Sequence, residues 1–113
     1  MILRTLTMIA LCGALAMLAP LSQAAAQTMT PAGKGYMDAM AKMQKDMPKD
    51  MTGDPDVDFA RMMIPHHQGA SDMAKVLLQH GKDPMLRQMA QKMIEDQGKE
   101  IAMLQDWLKQ HKK

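Results

Sequence analysis

Two Asp-Pro pairs, Asp54-Pro55 and Asp83-Pro84, punctuate the C-terminal half of the chain. An aspartate side chain accepts from the free N–H groups of a first helical turn. A proline directly after it has no N–H to leave unpaired and a φ already suited to a helix. Each pair therefore predicts a helix start. One helix is expected from Pro55 to about His80, with Gly81 as a left-handed stop, and another from Pro84 to about Gln110. Upstream, Tyr36 to Met47 reads as a third helix, because Tyr36, Met40, Met43 and Met47 share one face and Pro48 disfavours a helical Met47. Three helices with short connectors, no strand signal and no internal repeat predict an all-α fold, a small antiparallel bundle.

The first 26 residues have a different character. Arg4, the apolar run Met8 to Leu18, Pro20 and the tail Ser22-Gln23-Ala24-Ala25-Ala26 have the pattern of a secretory signal peptide, with cleavage expected after Ala24 or Ala26. The apolar run is shorter than the roughly 20 residues of a membrane-spanning helix. Cys12, the only cysteine, follows Leu11 where a lipoprotein signal has a small residue, so lipidation is not expected. The mature protein is thus expected in the periplasm, without a thiol and without a membrane anchor. Residues 27–35, polar and broken by Pro31 and two glycines, read as a flexible lead-in, and 36–113 as a single helical metal-binding domain. Basic and acidic residues nearly balance, which argues against nucleic acid as a partner. A small exported domain without a disulfide draws extra stability from helix packing, a bound metal or oligomerisation, and a second copy completing a larger bundle is one such route.

Methionine is the compositional outlier. There are 16, and with Met1, Met8 and Met17 in the leader, 13 fall within residues 27–113. Leucine, isoleucine and valine specify a core better than flexible methionine, so the excess calls for another reason. Thioether and imidazole form a borderline-to-soft donor set suited to monovalent copper and silver, not to magnesium or calcium.

Those donors concentrate between residues 58 and 74. On a helical wheel centred on His66, the residues Phe59, Met62, Ala70, Met73, Leu77 and His80 lie within about 40°, so His66 is expected to face the core. His67 falls about 100° away with Met63, Ala74 and Leu78. Adjacent helical side chains diverge, whereas residues four apart meet, so the expected pairs are Met62 with His66 and Met63 with His67. Pro65 removes a backbone hydrogen bond, and a kink there changes the splay of the two histidines. Met89 and Met93 on the last helix are further candidate donors. Met40, Met43 and Met47 fit equally as core or ligands. Gln97, in the apolar stripe of the last helix, is expected to hydrogen-bond His66, and Glu100 is the alternative partner for His67.

The run Met62-Met63-Ile64-Pro65-His66-His67-Gln68-Gly69-Ala70, with the preceding Thr52 to Arg61, resembles the CopM-like periplasmic copper metallochaperones, a family otherwise known as a domain of unknown function. Gln97, Glu100-Ile101 and Trp107-Leu108 agree with its closing helix. Ser71 stands where a larger apolar residue is expected. The resemblance implies a ferritin-like bundle that binds copper, with silver as an alternative, through Met62, Met63, His66, His67 and Met73.

The expected function is therefore a non-enzymatic periplasmic buffer or carrier of copper that contributes to copper tolerance and exchanges the ion with other periplasmic copper proteins. Because imidazole binds metal only when deprotonated, binding is expected to weaken below about pH 6, near the histidine reference value of about 6.5. Two alternatives stand beside it. One is a cuprous oxidase; the Glu-x-x-His pairs of di-iron bundles are absent from the sequence. The other is a metal-free, Met-rich interaction protein or oxidant sink.

Overall fold

The computed structural model describes residues 28–111, and the expected leader at 1–26 lies outside them. Helix α1 spans Pro31–Asp46, α2 spans Pro55–His80 and α3 spans Pro84–Gln110. The described chain is an all-α small helical bundle. Both Asp-Pro signals act as the sequence predicts: Asp54 accepts from the N–H groups of Asp56 and Val57, and Asp83 from that of Leu86. No described helix is long and apolar enough to cross a membrane.

Two local expectations are corrected. First, α1 begins at Pro31, inside the stretch read as a flexible lead-in, because the Thr30 hydroxyl accepts the Gly33 N–H at 3.0 Å and Pro31 occupies the first helical turn. Second, Gly81 is extended, with φ −76°, and not left-handed. The C-terminal carbonyls of α2 are satisfied from α3 instead: the Arg87 guanidinium donates to the carbonyls of Leu78 at 2.7 Å and Gly81 at 3.0 Å. The left-handed glycine is Gly53, at φ 87°, in the connector before α2. As expected, α2 is one helix from Pro55 to His80; it passes unbroken through Pro65, whose ring is buried.

The packing explains which residues are buried. Both α1 and α3 pack on α2, while the Cα traces of α1 and α3 come no closer than 8 Å to each other. The seams are lined by small side chains: Ala39, Ala60, Ala74, Val76 and Ala90 are the buried apolar residues. At the α1–α2 seam Gly69 lets the helices approach until a Cβ placed there would lie 2.7 Å from the Met43 sulfur. Ser71 is buried on the flank of α2 that carries Ala60, Ala74 and His67. Large side chains fare differently, and none among the described residues is fully buried. The three helices thus form an open layer with α2 in the middle, not a closed bundle around a core.

The connector before α2 is pinned by one carboxylate. Buried Asp58 accepts the Thr52 N–H and hydroxyl, both at 2.8 Å, and the Gly53 N–H at 3.1 Å. These bonds, with Arg61 nearby, hold its carboxyl below the usual carboxylate range.

Candidate metal centre

The most chemically specific contact between α2 and α3 joins His67 to Glu100, with Nε2 and a carboxylate oxygen 2.6 Å apart. An ionised carboxylate only accepts, so the proton of the neutral ring sits on Nε2 and the Nδ1 lone pair is free. Nδ1 is buried and has no hydrogen-bond partner. A histidine whose one nitrogen is held by a carboxylate and whose other nitrogen is open is arranged as metal-binding histidines are.

Helical spacing supplies soft donors at the same place. Met63 lies one turn before His67 on α2, and Met103 lies three residues after Glu100 on α3. Both, with His67, Glu100, Phe59 and Leu104, line a cavity of about 230 Å³ in the α2–α3 groove. The expected pairing of Met63 with His67 and the expected Glu100 partner are thus brought to one place. Met103 was missed by the sequence reading, because it falls off the apolar stripe of α3 and carried no signal apart from its spacing to Glu100. Among the described residues no three His, Cys, Asp or Glu side chains gather as a metal-binding group. The donors assembled at this cavity are one imidazole, one carboxylate and two thioethers.

His66 departs from expectation. It is exposed, because the face of α2 on which it lies is not covered by another helix. Its ring centroid is 6.2 Å from that of His67, with the planes tilted by 60°, so the two rings diverge toward different surroundings. Gln97 makes no hydrogen bond to His66, and its side-chain oxygen is buried without a partner. Gln97 also lines a second groove of about 300 Å³, with Met89, Met93 and Glu100.

The remaining candidate donors are dispersed. Met73 meets Met89 and Met93 in an apolar groove of about 360 Å³ floored by Ala70 and Ala74 and flanked by Tyr36. Met43 packs against Gly69 at the α1–α2 seam. Met40 is exposed on α1, Met47 is the half-buried residue capping its C-terminus, and Met62 is half-buried on α2.

These features define a small all-α protein with a thioether-rich site between its two longer helices. The chain belongs to the family described as a domain of unknown function (DUF305), whose family model matches residues 12–108. No curated protein matches the sequence.

Proposed function

We propose that this protein binds monovalent copper, with silver as an alternative cargo, and acts in the periplasm as a carrier or buffer, not as an enzyme. The observation that carries the reading is the open, buried Nδ1 of His67, whose other ring nitrogen is held by Glu100 in a cavity lined by Met63 and Met103. Thioethers stay neutral and soft, which favours the monovalent ion. The resemblance of the Met62 to Ala70 run to copper metallochaperones points the same way. His67, Met63 and Met103 are the primary donors in this reading, with Glu100 orienting the ring. Exposed His66 and the Met73, Met89 and Met93 groove offer secondary positions.

A competition titration with a chromophoric chelator of monovalent copper tests this. Wild type is expected to compete, His67→Ala to lose the site, His66→Ala to lose less, and Glu100→Gln to bind about 10–100-fold more weakly, as changes to a partner of a metal-binding histidine do. A wild-type protein that fails to compete sinks the proposal. A second reading, an oxidant sink, draws on the exposure of Met29, Met37, Met40, Met51, Met85, Met89 and Met103. It requires the histidines to be dispensable, which the same variants decide.

A further inference from the structure

The open layer has two unlike faces. On α2 the stripe Phe59, Met63, His66, Ala70, Met73, Leu77 points between α1 and α3, whereas Arg61, Gln68 and Lys75 lie on the opposite side of the same helix. Three grooves open onto the first face, all mostly apolar in their walls, and one, which includes Ile64, Pro65 and Leu108, onto the opposite face, so the faces differ in their exposed side chains and not in grooves alone. The large exposed side chains gather there too: Met37 and Met40 on α1, Phe59 on α2, and Met85, Met89 and Met103 on α3, each between 47 and 70 % exposed. Helices that are apolar on one face form stable domains in two layers, and the described chain supplies one.

We propose that a second copy of this chain covers this face, the two layers packing about a two-fold axis. Two observations select a copy over another occupant. At roughly 200 Å² for a fully exposed side chain of this size, the six exposed residues offer on the order of 700 Å². With the half-buried Met63 and Met93 added, this approaches the roughly 800 Å² per partner of a standard stable interface. The charges are self-cancelling: Lys92 pairs with Asp96 on the face itself, between Met89 and Met103 on α3, and Lys34 pairs with Asp38 on α1. Two identical faces therefore meet without net repulsion, and neither sign of charge is in excess to attract a lipid headgroup or a polyanion. A self-complementary patch of this kind is what a two-fold interface requires. The dimer encloses the His67 cavity, but the proposal does not depend on metal.

The test uses metal-free protein. Sedimentation equilibrium at tens of micromolar is expected to give twice the chain mass, Met89→Glu/Met103→Glu to give the chain mass, and Lys75→Glu on the opposite face to remain a dimer. Because the double variant also risks its fold, wild type is footprinted with dilute peroxide. Met89 and Met103 are expected to gain protection from sulfoxidation as concentration rises, whereas Met51, in the connector and 55 % exposed, is not. A wild-type monomer, or a dimer in which Met89 and Met103 oxidise as fast as Met51, overturns the proposal. A monomer that floats with phospholipid vesicles overturns it too and assigns the face to a membrane surface. Loss of copper binding with the dimer intact sinks the metal reading alone; a monomer that binds copper tightly sinks the interface alone.

Discussion

Replacing Gly69 by alanine and, separately, Gly98 by alanine makes one chemical change in two helices and is expected to move stability in opposite directions. A Cβ on Gly98 meets nothing within 4 Å. That variant gains only the helix-propensity difference, about 0.8–1 kcal/mol. A Cβ on Gly69 lies 2.7 Å from the Met43 sulfur and 2.9 Å from both Cβ and Cγ of Met43. The sulfur and Cγ can swing aside, but Met43 Cβ is fixed to the backbone, so α1 has to shift. Overpacking of this kind costs about 1–3 kcal/mol. Set against the same propensity gain, Gly69→Ala is expected to be neutral to about 2 kcal/mol less stable than wild type. The two variants then differ by the contact alone, and for a domain of this size each 1 kcal/mol is about 4–8 °C in Tm. Thermal unfolding followed by far-UV circular dichroism measures the difference directly. Equal stabilisation by both alanines refutes the close α1–α2 seam, and with it the placement of Met43 as packing apart from the metal donors.

Two further outcomes follow from the same geometry. Met103→Leu, which keeps apolar volume and removes a thioether from the His67 cavity, is expected to weaken monovalent copper binding about tenfold or more, on the scale of lost metal-site partners. Met43→Leu is expected to leave affinity unchanged, and equal effects of the two in the chelator competition would separate Met103 from the site. Asp58 supplies a pH test. Its carboxyl is held low chiefly by the Thr52 N–H and hydroxyl, with help from Gly53 and Arg61. Its stabilisation is therefore full above the unfolded value of about 3.9 and is lost as pH falls through the folded one. Asp58→Asn is expected to melt below wild type at pH 7, with the gap narrowing progressively as pH falls below about 4; a gap that does not narrow toward acid pH contradicts the assignment.

The helices were legible because their start signals are local. Asp54, Asp83 and the prolines after them act within one turn, and the structure places both starts where the residues do. Thr30-Pro31 is a signal of the same kind, passed over because glycines 33 and 35 made the segment look irregular. Gly81 illustrates the opposite limit. The capping of α2 depends on Arg87, six residues beyond Gly81 on another helix. That outcome is not readable from the glycine itself.

At the site, pairings along one helix were readable and pairings between helices only partly so. Met63 with His67 follows from a spacing of four, and Glu100 was one of two carboxamide or carboxylate candidates on the right helix. His66 was misread for a physical reason that bears on function. A wheel identifies an apolar stripe but not whether anything covers it, and the stripe of α2 containing His66 and Met73 faces an open groove. An apolar stripe without a covering helix and an excess of methionine are two aspects of one surface. A leucine-rich face of that size, left open, is an aggregation hazard. Methionine keeps the apolar area while remaining flexible enough to pack against another surface or turn its sulfur to a soft ion. Substituting the exposed methionines by leucine separates the two uses, since association should survive the change and copper capacity should not.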